Sequence, residues 1–201
     1  MQKLAPAYYR NPDVLFLAKD LLGKILWTCI DGELSSGMIV ETEAYAGVTD
    51  KASHAYGHKR TRRTEIMYHE GGVAYVYLCY GIHSLFNIVT SVADEPHAVL
   101  IRAVEPQHGT HLIELRRNIP VSKTTISAGP GAAAKALGIT TALNGQDLQG
   151  NGIWIEDAGT RFTADEIAAR PRIGVAYAKE HALLPWRFFV KGNKYVSKPN
   201  H

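Results

Sequence analysis

The segment VAYVYLCYGIHSLFNIVTSV, residues 73–92, constrains the fold more than any other part of the chain. Two runs rich in β-branched and aromatic residues are separated by little more than Tyr80-Gly81, and so short a connection joins antiparallel neighbours. A tight hairpin with Tyr80-Gly81 near its tip is therefore expected. Further strand-like runs are KILWTCI (24–30), residues 37–45, HAVLIRAVEP (97–106, ended by Pro106) and IWIED (153–157). Asp31-Gly32 reads as the turn between the first two of these. RFFVKGNKYVS (187–197) reads as a last hairpin turning at Gly192-Asn193. Between the strands lie helical patterns. Asn11-Pro12 looks like an N-cap and first helical residue, Val14, Leu15, Leu17, Ala18, Leu21 and Leu22 follow at helical spacing, and Gly23 is the stop. Residues 107–118, residues 128–138 (closed by Gly138) and residues 163–170 (ended by Pro171) are the other helix candidates. Residues 46–72 are polar and loop-rich. There is no regular βαβ alternation, so the expected class is α+β. The expected form is one compact domain over residues 1–201, with a curved, largely antiparallel sheet, surrounding helices and a protruding hairpin.

A chain of 201 residues with 46 % hydrophobic content suits one domain with a substantial core. No apolar run is long enough to span a bilayer, and the N-terminus lacks the apolar region of a secretory signal. Cys29 and Cys79 lie in apolar strand-like runs and read as buried, reduced thiols. Together these point to a cytoplasmic protein with no membrane contact. Net charge is only +3, but Lys59, Arg60, Arg62 and Arg63 fall within five positions. Such a cluster is either a solvated loop or a contact surface for phosphates.

The stretch GMIVETEAYAG (37–47) places two acids inside a strand. Alternation puts Ile39, Glu41, Glu43 and Tyr45 on one face. Same-face neighbours on a strand lie roughly 6.5–7 Å apart, so two ionised carboxylates repel unless cations or water intervene. Burial beside apolar neighbours would favour the protonated acids and suit acid–base chemistry. An edge strand with two solvated acids is the alternative. A carboxylate pair is also what a carbohydrate glycoside hydrolase uses. Nucleoside cleavage is glycosidic-bond chemistry too, and there one carboxylate that activates water suffices when the base is a good leaving group.

Tyr75 and Tyr77 share a strand face, either as core or as a stacking surface for an unstacked base. Tyr80, beside the hairpin glycine, has few neighbours to bury it and suits a wedge between bases. Asn87 is polar inside SLFNIV, where it either satisfies backbone groups or reads a base edge. His54 with His58, and His108 with His111, have tolerable metal-ligand spacings without a third ligand in a defined motif, so no metal and no cofactor are expected. A non-catalytic nucleic-acid-binding module would use the same aromatic and basic segments.

In order and spacing, several segments together resemble the alkyladenine (3-methyladenine) DNA glycosylase family, the mammalian-type N-methylpurine DNA glycosylases. They are IVETEAY (39–45), His54, YVYLCYG (75–81), FNI (86–88), LIRAVEP (100–106), SAGPGAAAKALGI (127–139) and RIGV (172–175). The resemblance implies a monofunctional hydrolase that removes alkylated or deaminated purines from double-stranded DNA, as a monomer and without a metal or other cofactor. Its location would be the nucleoid in a bacterium or the nucleus in a eukaryote. It implies Glu43 as the general base for the attacking water, with Arg102 and the backbone at Ile173 helping to hold that water. It further implies that Tyr45, His54 and Tyr77 line the base pocket, that Asn87 excludes guanine, and that Tyr80 fills the gap left in the duplex. Lys59, Arg60, Arg62 and Arg63 would then contact DNA phosphates. The chain departs from the family pattern at Arg63-Thr64, at Met67-Tyr68 and at Ile82-His83, near expected DNA contacts.

Overall fold

The computed structural model describes residues 2–199. Nine strands form a single antiparallel sheet: β1 (Gln2–Lys3), β2 (Ile25–Ile30), β3 (Glu33–Ala46), β4 (Ala74–Cys79), β5 (His83–Thr90), β6 (His97–His108), β7 (Ile153–Asp157), β8 (Ile167–Arg170) and β9 (Arg187–Val190). The main order is β1-β7-β2-β3-β6-β5-β4, with β9 joining β3 and β8 joining β9. Four α-helices accompany them, α1 (Pro6–Tyr9), α2 (Val14–Asp20), α3 (Thr110–Arg117) and α4 (Pro130–Ala136), with short 3-10 turns in the loops. The expected α+β class with a largely antiparallel sheet is what the chain adopts. The sheet does not close into a barrel.

The centre of this arrangement is β3. One of its edges pairs with β6 along most of its length, whereas the other is shared between β2 and, further on, β9. Two successive register shifts interrupt the β3–β6 ladder. Val40 is extra on β3 between the Ile39↔Val104 and Glu41↔Ala103 pairs, and Arg102 is extra on β6 between Ala103 and Ile101. Each bulge bends its strand and releases one residue from the ladder. The two offset each other, so pairing resumes in step at Thr42. Because of the first bulge, Ile39 and Val40 both enter the main hydrophobic core.

Helix α2 covers the opposite face of β3. Its N-cap is Asp13, whose carboxylate accepts from the Phe16 N–H at 2.9 Å, and not Asn11, whose side chain accepts from the Asp13 N–H one turn earlier. Pro12 thus precedes the cap instead of following it. Thr42, pointing away from the acids, donates to the Ala18 carbonyl at 2.6 Å and ties this helix to the strand.

Three further expectations fail for tertiary reasons. Residues 167–170 form β8 and not the end of a helix, because β9 offers them a pairing edge from Arg187 to Val190. Residues 194–197 do not return as a strand after the Gly192 turn, because β9 already pairs with β8 on one side and β3 on the other. Pro106 does not end β6, which runs on to His108; a bulge between Ser36 and Gly37 accommodates it opposite Gly37. Cys29 and Cys79 are free but half-buried, not enclosed.

The expected hairpin forms from β4 and β5, in the register Ala74↔Ile88 to Cys79↔His83. Its turn holds Tyr80 at φ 52° and Gly81 at φ 73°, both left-handed. Glycine adopts this conformation freely, whereas a tyrosine there costs roughly 1–2 kcal/mol. Tyr80 is nonetheless 91 % exposed, with Leu78 and Ile82 exposed on either side.

Candidate active site

Directly opposed residues on neighbouring strands share a sheet face. The observed register therefore lines up one row across five strands: Tyr75 (β4), Asn87 (β5), Leu100 (β6), Glu43 (β3) and Arg187 (β9). A cavity of about 470 Å³ opens above the first four of these, walled also by Tyr45, His54 and Tyr77. That size accommodates a nucleobase with space to spare.

Glu43 is fully buried at the cavity wall. Its Oε1 accepts from the Ile173 N–H at 2.8 Å and lies 3.2 Å from Arg102 Nη1; its Oε2 accepts from the Tyr45 hydroxyl at 2.7 Å. The position of Arg102 follows from its bulge, which frees it from the ladder and lets it reach both acids. Its Nε donates to Glu41 at 3.0 Å. Two carboxylates about 6.5–7 Å apart repel by about 2 kcal/mol at an effective dielectric near 20. Here a guanidinium bridges them. β3 is an interior strand and neither acid is solvated. Nor do the acids sit among apolar side chains alone, because Arg102 touches both and Arg187 also holds Glu41.

The tyrosines are held neutral. Burial and the neighbouring Glu43 push Tyr45 well above its ordinary value, and burial pushes Tyr77 up likewise. Tyr45 is stacked at 4.8 Å on the guanidinium of Arg172, which forms a buried ion pair with Asp50 and sits one residue before Ile173. Sequence reasoning missed this pair. Its signal is an arginine and an aspartate beside motif residues, which nothing in the sequence brings together.

His54 packs edge-on against Tyr77, and its Nδ1 shares a 2.9 Å hydrogen bond with the Tyr75 hydroxyl. Arg63 Nη2 lies 3.5 Å from His54 Nε2. An arginine only donates, so Nε2 is the acceptor and the ring proton sits on Nδ1. Burial first, then Arg63 and Lys59, lower the imidazole to about 4. Asn87 is buried and its amide donates to the Tyr75 carbonyl at 3.2 Å, which leaves its oxygen for the cavity.

The basic cluster separates into unlike parts. Lys59 and Arg62 are exposed. Arg63 turns inward and lies over the Tyr77 ring at 4.8 Å. Arg60 is bound by Glu65 and Asp94 and covers Tyr68. Tyr80 stands at the hairpin tip on the rim of the same cavity. Among the described residues no group of three or more His, Cys, Asp or Glu is placed to hold a metal.

A buried carboxylate held by three donors at the wall of an aromatic slot, with an exposed aromatic on a hairpin at its mouth, makes a cavity whose shape fits a flat ring. Comparison with known proteins agrees. The family model described as methylpurine-DNA glycosylase matches residues 7–194, and the chain belongs to that family. A relative from Chlamydia abortus, named as a 3-methyladenine DNA glycosylase, is 47 % identical over 93 % of this chain and 97 % of its own. Relatives of the same name from Bacillus cereus and Desulfitobacterium hafniense are 44 % and 42 % identical, each over at least 96 % of both chains.

Proposed function

We propose that this chain is a monofunctional DNA repair glycosylase that flips alkylated or deaminated purines out of double-stranded DNA and hydrolyses the N-glycosidic bond. The observation that carries the reading is Glu43, buried at the cavity wall with Arg102 and the Ile173 N–H on one oxygen. In this mechanism the ionised Glu43 takes a proton from a water as the water oxygen attacks the sugar C1′. The bond between C1′ and the purine nitrogen breaks, and the electron pair leaves with the base. A cationic alkylated purine leaves neutral and needs no acid. A neutral base such as hypoxanthine needs a proton. His54 is a poor source, since it is neutral at physiological pH and its one ring proton is engaged with Tyr75. A water in the cavity is the better donor.

Extrusion costs a few kcal/mol, least for a damaged or mispaired base. Tyr80, already extended into solvent and held in a strained conformation, offsets part of this by filling the gap. Tyr45 and Tyr77 stack on the base, Asn87 crowds the 2-amino group of guanine, and Lys59 and Arg62 meet phosphates. Residues 1–201 act as one catalytic unit and a monomer, away from membranes. No helix among the described residues is long and apolar enough to cross one.

The carbohydrate-hydrolase reading needs two accessible carboxylates. Glu41 is fully buried, and both its oxygens are engaged by Arg102, Arg187 and Ser197. The test is single-turnover release of free purine from methylated duplex DNA. Glu43→Gln binds the damaged duplex nearly as the wild type does and releases no base above the uncatalysed rate. Release at the wild-type rate by that variant removes Glu43 from the chemistry.

A further inference from the structure

We propose that Glu41 is a positioning residue, which holds both donors of Glu43 Oε1 in place and limits how far Arg102 is committed to it. The inference rests on the reading of Glu43 as the base. Glu41 is fully buried and outside the cavity. Its Oε1 accepts from Arg102 Nε at 3.0 Å, Arg187 Nη1 at 3.1 Å and Ser197 Oγ at 2.9 Å, and its Oε2 accepts from the Ser197 N–H at 2.8 Å. Four donors on one carboxylate far exceed what pairing a single arginine requires.

Two routes lead from Glu41 to Glu43. The first is direct: Arg102 holds Glu41 with Nε and Glu43 with Nη1. The second passes through Arg187, whose Nε donates to the Pro171 carbonyl at 3.1 Å. Pro171 lies two residues before Ile173, whose N–H is the other donor to Glu43 Oε1. Glu41 thus anchors the side chain and the turn that together fix one oxygen of Glu43. The charges close as well, two carboxylates against two guanidiniums. Ser197, from the last described turn of the chain, completes the cluster and makes the C-terminal segment part of the site's foundation.

Neutralising Glu41 leaves Arg102 and Arg187 with Glu43 as their one remaining acid. Arg102 is then committed to Glu43 alone, and a proton arriving from water must displace more of that pairing, so Glu43 is the weaker base. The other groups facing this pair are Tyr45, Tyr177 and Arg172. Burial pushes both tyrosines up, and Arg172 is paired with Asp50, so none titrates in the acid range. His54, across the cavity, titrates alike in wild type and variant and cancels from their comparison.

The experiment is the pH–rate profile for single-turnover purine release from methylated duplex DNA, with Glu41→Gln, Ser197→Ala and Glu43→Gln beside the wild type. Glu41→Gln is expected to lower the plateau rate about tenfold and to move the acid limb down by half a pH unit or more, with duplex affinity within threefold of wild type. A merely structural role lowers the rate without moving the limb, and an unmoved limb overturns the inference. If Glu41→Gln does not fold, Ser197→Ala decides. It keeps all four charges but removes the hydroxyl that donates to Glu41 Oε1 and accepts from Arg102 Nη2 at 3.4 Å, so the limb moves; a limb at the wild-type position overturns the proposal. Release by Glu43→Gln at the wild-type rate would instead refute the assigned function. A dead Glu43→Gln with unmoved limbs refutes the role of Glu41 alone.

Discussion

At the scale of single residues, the site is an exercise in compensated charge. Arg102 touches two buried carboxylates and sits in a β-bulge that releases it from the ladder. Removing one partner of a buried pair typically costs about 3–5 kcal/mol. Arg102→Ala is therefore expected to lower stability by at least about 3 kcal/mol in chemical denaturation, as well as abolishing base release. His54 carries a separate prediction. Its pKa is lowered on folding, so between about 6.5 and about 4 the unfolded chain binds a proton that the folded chain does not. This contribution is fully present above pH 6.5 and is lost as pH falls towards 4. Replacing His54 with Gln removes that part of the acid-side loss, and denaturation curves measured from pH 4 to 7 for the two proteins converge at the acid end. Both histidine partners, Tyr75 and Arg63, lie many residues away in sequence, which is why His54 could be singled out by its spacing from TEAY but its protonation state could not be read.

At the scale of elements, the β4–β5 hairpin is both the most legible and the most exposed feature. Its two strands, its turn and the prominence of Tyr80 all follow from local sequence, because pairing and turn chemistry are local. Tyr80→Ala is expected to weaken extrusion while leaving the chemical step intact. A duplex with 2-aminopurine beside the lesion reports this as a smaller fluorescence rise on binding; an unchanged rise counts against a wedge. The segments misread, 163–170 and 194–197, owe their state to β9, a strand that enters the sheet from the far end of the chain. An edge to pair with outweighs weak local helix preference. Phe188 of β9 is buried in the main core beneath that edge. Phe188→Ala should cost about 3–5 kcal/mol, read as a lowered denaturation midpoint.

At the scale of the whole molecule, charge is modest in sum and specific in placement. DNA affinity falls with salt in proportion to the phosphates neutralised, with a slope near −0.9 per contact. Arg62, exposed and unengaged by any ion pair, is expected to contribute about one unit, so Arg62→Ala flattens the salt dependence of duplex binding by about that much. Arg60 is occupied by Glu65 and Asp94, and Arg60→Ala is expected to leave the slope unchanged. The amino-acid pattern alone was enough for the α+β class and for the hairpin and its exposed tip, since alternation and turn residues act over a few positions; the residues that ring the cavity were singled out by the resemblance of their segments to a known family. It left open why two acids stand together in one strand. That question is decided by contacts between residues 61 to 156 positions apart: a pair of bulges that frees Arg102, a late strand that brings Arg187, and a turn that supplies Ser197. Buried charge is tolerated only where distant parts of the chain converge to satisfy it, and such convergence is a property of the folded chain that no local pattern encodes.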